Sequence, residues 1–349
     1  MNKDLLDDRY GRFREIPLAL SNMGHQVSGL CLSYTDKQQG RTWDGNVCWE
    51  SLNAGQGKFA GLMRYIARAA KKAGRTDVIW ACSDSFYGII GLWAARRGRI
   101  PLVFDLYDNF EFYLAARLPV VKQLYRRAVR HADAVTCISA SLKNLIASYG
   151  RKENVSVLQN AVRADLFRPM DKVDCRRQLG LPSDAFIVGT AGALYHNRGI
   201  ESLYSAFRKL QRQHPNLHLA LAGPRHLPPP RDQRIHDLGI LPFDTVPTLY
   251  NALDVAVVCN KDNAFGRYCH PQKAVEIMAC NVPLVAARIG SLAQFFKTNP
   301  NWLYEPDNPA SLAAAVRHRM KDTATNYDPV PAWQDQAVKL EEWMARVMK

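Results

Sequence analysis

Short apolar runs alternate with stretches of helical period along most of the chain. The runs within "HQVSGLCLSY", "DVIWACS", "IPLVFDLY", "DAVTCIS" and "NVSVLQN" are short and rich in β-branched residues, which predicts strands. Between them, residues 59–73, "FYGIIGLWAARRG", residues 119–131 and "ASLKNLIASYG" repeat apolar residues every three or four positions, which predicts helices. Strand–helix alternation of this kind builds a parallel sheet covered by helices. The pattern pauses at the charged, proline-containing stretch "RADLFRPMDKVDCRRQLGLPSD". It resumes with strand "AFIVGTAGAL", helix "GIESLYSAFRKLQRQ" and strand "LHLALAG", then "VPTLYNALD", "VAVVCN", "HPQKAVEIMACN", "PLVAA", "GSLAQFFKTN", "WLYEP" and helix "PASLAAAVRHRMKD". The expected fold is α/β: two doubly wound, Rossmann-like domains facing a cleft, spanning residues 1–165 and 166–330, with a helix at 331–349 crossing back to the first. A doubly wound domain normally opens with a buried strand, yet "DLLDDRYGRFREIPLALSNMGHQV" reads as a loop and its helix. Either the start of this sequence lies downstream of the true one, or the first domain lacks its first strand.

With 349 residues and 47% hydrophobic content, there is material for two cores. No uncharged apolar run is long enough to span a membrane, and "MNKDLLDDRYGRFREI" carries no apolar signal region. The expected location is the cytoplasm, including its membrane face. Eight cysteines, at 31, 48, 82, 137, 175, 259, 269 and 280, form no C-x-x-C pair and read as buried thiols. The nine histidines form no H-x-x-H or H-E-x-x-H set, so neither a metal nor another cofactor is expected.

A net charge of +14 adds anionic partners to the picture. In "LMRYIARAAKKAGR", Arg64, Arg68, Lys71, Lys72 and Arg75 recur at helical spacing on one face, opposite Leu62, Tyr65, Ile66 and Ala69. Lys122, Arg126 and Arg130 recur one turn apart in "VKQLYRRAVRH". Such faces read either as solvated surface or as contact with an anionic membrane through Arg64, Arg68, Lys71 and Arg75. No nucleic-acid signature accompanies the charge, and nucleic acid is not an expected partner.

Ligands of open α/β sheets bind beyond the carboxyl ends of strands, so candidate chemistry is sought there. In "FIVGTAGALYHNRGIESL" a strand ends at Gly189 and Gly192, and a helix opens after Arg198 and Gly199. Glycines let backbone N–H groups approach a phosphate, and arginine adds charge-assisted hydrogen bonds. The spacing matches neither the ATPase P-loop nor G-x-G-x-x-G. In "HPQKAVEIMACNVPLVAA" Lys273 and Glu276 stand at the start of a helix. They read either as an i,i+3 ion pair or as a grip, with the cation for a diphosphate and the carboxylate for a ribose diol. "FDLYDNFE" places Asp105, Asp108 and Glu111 after a strand, while Asp84 and Ser139 read as helix caps.

On these residues the chain resembles glycosyltransferase family 4, whose members have the GT-B fold. "VSVLQNAVRADLFRP" is similar to the family's Asn-Gly-Val segment, with Asn160 matching and Ala161 in place of glycine. "GTAGALYHNRGIESLYSAFRKL" resembles its Gly-loop, where Arg198 would contact the donor diphosphate and Gly192 line it. "LGILPFDTVPTLYNALDVAVVCN" resembles the stretch that holds the nucleotide base, near Leu241. "PQKAVEIMACNVPLVAARIGS" resembles its most distinctive block, with Lys273 on phosphate and Glu276 on ribose. Gly11 and Arg12 fall in the acceptor-side loop, and Asp108, Tyr268 and His270 fall where the transferred sugar is handled. Tyr268 replaces a family glutamate, Ala193 a basic residue, and Tyr107 corresponds to a first-domain histidine.

The resemblance implies metal-independent, retaining transfer from a nucleotide sugar to a glycan or lipid-linked acceptor, in polysaccharide or glycolipid synthesis at the cell surface. Two alternatives stay open at this point. One is a nucleotide-sugar epimerase of the same fold. The other is a catalytically weak nucleotide-sugar-binding partner in a polysaccharide assembly complex.

Overall fold

The computed structural model describes residues 10–33, 39–54, 58–113 and 118–349. The chain separates into two compact units, residues 1–160 with 333–349, and residues 161–332. Part of the opening loop and helix reading, residues 1–9, lies outside the described residues.

In unit 1 the first described element is α1 (Arg12–Asn22), followed by β1 (Ser28–Ser33), β2 (Gly40–Asp44), β3 (Val47–Asn53) and α2 (Lys58–Ala73). Then come β4 (Ile79–Ala81), α3 (Ser85–Gly98), β5 (Leu102–Leu106), α4 (Pro119–His131), β6 (Ala134–Cys137), α5 (Ala140–Ala147) and β7 (Val155–Val157). The strands form two sheets, ordered β1-β3-β2 and β4-β5-β6-β7. In the second, β5 and β6 are buried throughout, which explains their uninterrupted apolar sequences. The β2–β3 hairpin escapes the sequence reading because β2 is a largely exposed edge with no apolar alternation, and Gly45 turns the chain at φ 56°. Asp84 caps α3 by accepting from the Phe86 and Tyr87 amides at 2.8 and 3.2 Å. Ser139 caps α5 by accepting from the Leu142 amide at 3.1 Å. Each cap satisfies amides that the first helical turn leaves without a partner.

Unit 2 contains α6 (Lys172–Gln178), β8 (Phe186–Ala191), α7 (Ile200–Leu210), β9 (Leu217–Ala222), β10 (Ile235–Asp237), α8 (Val246–Ala252) and β11 (Val255–Val258). It continues with α9 (Ala264–Tyr268), α10 (Gln272–Ala279), β12 (Leu284–Ala287), α11 (Gly290–Phe295), β13 (Leu303–Tyr304) and α12 (Pro309–Lys321). Its sheet is wholly parallel, in the order β10-β9-β8-β11-β12-β13. The connections run outward from β8 in one direction and restart at β11 in the other. That reversal makes the carboxyl ends of β8 and β11 the switch point where such sheets leave a crevice. β11 and β12 are buried along their whole length, and each large aliphatic side chain placed there contributes about 1.5–3 kcal/mol. Arg176 braces the underside: its guanidinium donates to the Ala252, Ser183 and Ala185 carbonyls and to Asp254.

The last helix, α13 (Trp333–Val347), belongs to unit 1, where it packs on α1 and β6. Among the described residues no helix is long and apolar enough to cross a membrane.

Candidate functional site

At the switch point of unit 2, β8 ends and the chain turns at Gly192, with φ 97° in the left-handed region. A side chain there would be strained, and a Cβ on Gly192 would lie 3.7 Å from the Lys273 ammonium nitrogen. The lysine of α10 and the loop after β8 therefore meet, although 81 residues separate them in sequence. Arg198 approaches from the end of the same loop. Its guanidinium carbon is 3.4 Å from the centre of the Phe265 ring on α9. This cation–π contact keeps the planar group ordered without using its hydrogen-bond donors. Gly199, at φ 77°, ends the loop and starts α7, and a Cβ there would come within 3.3 Å of Lys261. The side-chain amide of Asn263 donates to the Asn197 carbonyl at 3.3 Å, tying the β8 and β11 loops together.

Each of Lys273 and Glu276 has surroundings of its own. The Glu276 carboxylate lies 3.4 Å from the Tyr250 hydroxyl of α8, and the residue is 6% exposed. Burial pushes its pKa from 4.5 up to about 7, with Gln272, Lys273 and Tyr250 holding back part of the rise. Burial also lowers the pKa of Lys273, Cys259 opposes that change, and Arg198 reinforces it through like-charge repulsion. Two cations and an incompletely compensated carboxylate thus lie near one another beyond the end of β8, and Lys273 and Glu276 interact electrostatically. Chemically, the cationic part suits a polyanion, and the recessed carboxylate suits hydroxyl donors. Tyr250, Phe265 and Gln272, which donates to the Ala161 carbonyl at 2.8 Å, support these residues from three different segments. Their positions in the sequence carry no motif.

Other candidates fare differently. Arg12 is not available on the acceptor side. It is 5% exposed, binds Asp105 through Nε and Nη2 at 2.8 and 2.9 Å, and donates to the Leu158 and Gln159 carbonyls. It ties α1 to the ends of β5 and β7, a structural role that its place in a loop did not reveal. Asp105 faces inward to meet it and also accepts from Thr136 at 2.6 Å. Glu111 is engaged by Arg126 at 2.6 Å and by Lys122 at 3.5 Å. Asp108 is buried and accepts from the Asn109 amide and the Tyr113 hydroxyl within its own loop. Gly11, at φ 79°, is the N-cap of α1, and Asn160 is the last residue of the first segment of unit 1. In unit 2, Tyr268 ends α9 half-buried, His270 is buried with its ring edge-on to Phe295 at 5.0 Å, and Leu241 packs partly against the core. The structure thus brings Gly192, Arg198, Lys273 and Glu276 together.

Comparison with known proteins fits both units. The sequence model "Glycosyltransferase Family 4" matches residues 13–166, and "Glycosyl transferases group 1" matches residues 171–332. The chain belongs to the family 4 glycosyltransferases. This family 4 member is 28% identical over 281 residues to a D-inositol 3-phosphate glycosyltransferase of Acidothermus cellulolyticus, covering 72% of this chain and 61% of that one. The matched part spans about half to three fifths of the first curated relatives' own length. Among solved structures, sucrose-phosphate synthase from Thermosynechococcus elongatus superimposes with a TM-score of 0.71 at 19% identity, covering 97% of this chain and 88% of that one. HepE from Anabaena, in complex with UDP-glucose, gives 0.66 at 22% identity, covering 92% and 97%. Likeness at this level establishes the fold of the family 4 member, which is GT-B.

Proposed function

We propose that this protein is a retaining glycosyltransferase that moves a sugar from a nucleotide sugar to a hydroxyl of a glycan or lipid-linked acceptor. The observation that carries the reading is the meeting of Gly192, Arg198, Lys273 and Glu276 at the switch point of unit 2. HepE, solved with UDP-glucose, and the D-inositol 3-phosphate glycosyltransferase are relatives of the right chemical kind. In this reading the backbone of the Gly192 loop and the N-terminal end of α7 receive the diphosphate, flanked by Arg198 and Lys273, while Glu276 accepts from the ribose hydroxyls. When the glycosidic bond to phosphate breaks, negative charge grows on the departing diphosphate. Fixed cations in a partly desolvated crevice stabilise that charge more than they stabilise the ground state, which is the largest contribution such a site can make.

Calorimetric titration with UDP, GDP and ADP tests the grip. Arg198→Ala and Glu276→Ala should each weaken binding, and unchanged affinity in both would remove the site from consideration. A nucleotide-sugar panel then separates transfer or slow hydrolysis from epimer formation. The second reading, a nucleotide-sugar-binding partner without turnover, draws on Tyr268 and Ala193, which stand where the family resemblance implies a glutamate and a basic residue. Tight nucleotide binding with no product from any donor and acceptor pair would favour it.

A cytoplasmic, peripheral membrane role is part of the proposal. Arg64 and Lys71 of α2 and Arg75 just beyond it are exposed, whereas Arg68 is paired with the buried Glu50 at 2.5 Å. Neutralising the three exposed cations should release the protein from anionic vesicles, at about 1 kcal/mol each. Unchanged salt-sensitive binding would contradict it.

A further inference from the structure

Three successive helices of unit 1 form one layer. α3 links β4 to β5 and α4 links β5 to β6, parallel neighbours in each case. Right-handed crossovers taken in one direction place both helices on the same side of their sheet. α2 packs on α3, so the order across the layer is α2, α3, α4.

The three helices have 16, 14 and 13 residues, and none of them contains an Asp or Glu. Their exposed cations are Arg64 and Lys71 on α2, Arg96 and Arg97 on α3, and Arg127 and Arg130 on α4. The helix dipole accounts for Lys71, Arg96, Arg97 and Arg130, which sit in last turns. The same dipole would favour acids in the first turns, yet all three first turns have none. Arg64 and Arg127 lie in mid-helix, where the dipole has no hold. Acids close to the layer are engaged or lie off its ends. Glu50 holds Arg68, Glu111 holds Lys122 and Arg126, and Asp84 caps α3. Asp77 and Asp133 lie in the loops that follow α2 and α4.

Large apolar side chains stand exposed among these cations: Met63 of α2, Trp93 of α3, and Val120 and Leu124 of α4, with Val120 as much as 68% exposed. Val120, Leu124 and Arg127 follow one another at spacings of four and three, so they share one stripe of α4. A nucleic acid would satisfy the arginines but would set a charged backbone against the aliphatic groups. An apolar protein surface would cover the aliphatic groups and leave the cations without counter-charge. An anionic bilayer presents both, phosphates outside and acyl chains beneath, and an indole suits the boundary between them.

We propose that the α2–α3–α4 layer seats this protein on an anionic lipid surface, with Met63, Trp93, Val120 and Leu124 entering the interface and the surrounding cations held at the headgroup phosphates. The inference rests on the peripheral-membrane reading above and extends it from one basic helix to a face with an inserting part.

The test uses the full chain and vesicles of phosphatidylcholine, alone or mixed with phosphatidylglycerol. Arg96→Gln with Arg97→Gln should weaken binding to the mixed vesicles about 25-fold, roughly fivefold for each cation removed. Arg127→Gln with Arg130→Gln should do the same. Val120→Ser with Leu124→Ser should lower the fraction that stays bound at high salt, because burial of apolar area is not screened. Lipids brominated on the acyl chain should quench the wild-type indole fluorescence, and Trp93→Phe should remove part of that quenching. Every substituted residue is exposed, and unchanged hydrogen exchange in β5 verifies that unit 1 stays folded. Vesicle binding that needs only the α2 cations, with quenching unchanged in Trp93→Phe, would overturn this face and leave the peripheral reading standing. Failure to bind either vesicle would overturn both. Binding to a single-stranded oligonucleotide that the same substitutions weaken, with vesicles ignored, would overturn the proposal in favour of nucleic acid.

Discussion

Glu276 offers a quantitative check on the site. The residue is 6% exposed, and burial raises its pKa from 4.5 to about 7. The folded protein therefore holds this proton more tightly than the unfolded chain does. Below about pH 4.5 the group is protonated in both states and costs the fold nothing. As pH rises toward 7, the unfolded chain sheds the proton first, and stability falls by up to roughly 3 kcal/mol, at 1.36 kcal/mol per pH unit. Above about pH 7 the loss is complete and constant. Glu276→Gln keeps the shape and leaves an acceptor for the Tyr250 hydroxyl, but it cannot ionise. The variant should match the wild type near pH 4.5 and exceed it by roughly 3 kcal/mol at pH 8. Urea unfolding at pH 5, 6, 7 and 8, followed by hydrogen exchange in fragments spanning residues 272–287, isolates the local unit from the rest of the chain. A stability gap that stays constant from pH 5 to 8, or one that closes as pH rises, would refute the assignment of a buried, poorly compensated carboxylate. Such a penalty is tolerated where a ligand later satisfies the group.

The remaining predictions concern the grip and its scaffold. Lys273→Ala should weaken UDP binding about tenfold to a hundredfold, the value of a charge-assisted hydrogen bond, and should reduce its salt sensitivity; equal affinity would remove Lys273 from the site. If only the ionised Glu276 accepts from the ribose, affinity for a nucleotide sugar should rise about tenfold between pH 6 and 8. Calorimetry should find that dependence absent in Glu276→Gln. Arg12→Ala leaves the fully buried Asp105 without its counter-charge and should destabilise unit 1 by about 3–5 kcal/mol, measured by hydrogen exchange in β5, with nucleotide affinity unchanged. Loss of nucleotide binding with intact stability would instead return Arg12 to a ligand-contacting role.

The legible parts of the protein are those where a local pattern carries the physics. Central strands such as β11 and β12 are buried on both faces, so their apolar runs announce them. The caps Asp84 and Ser139 act on amides two or three residues away, within reach of a sequence reading. Gly192, Arg198, Lys273 and Glu276 stand out because a glycine, two cations and a carboxylate at strand ends suit a ligand that carries both phosphate and hydroxyl groups. The family resemblance sharpens their roles. The β2–β3 hairpin stays hidden because an exposed edge strand has no apolar alternation to betray it.

By itself, the sequence determined the parallel α/β class, the succession of central elements and the residue types available at strand ends. These follow from periodicity and short-range sterics. Tertiary structure decided everything that depends on which distant segments meet. It turned Arg12 inward onto Asp105, 93 residues away. It set Lys273 beside the Gly192 turn and Glu276 against the Tyr250 hydroxyl, two segments far away in sequence. The reason is common to both. A charged side chain or an edge backbone group has no preferred direction until burial removes water, and only the packed chain determines what replaces that water.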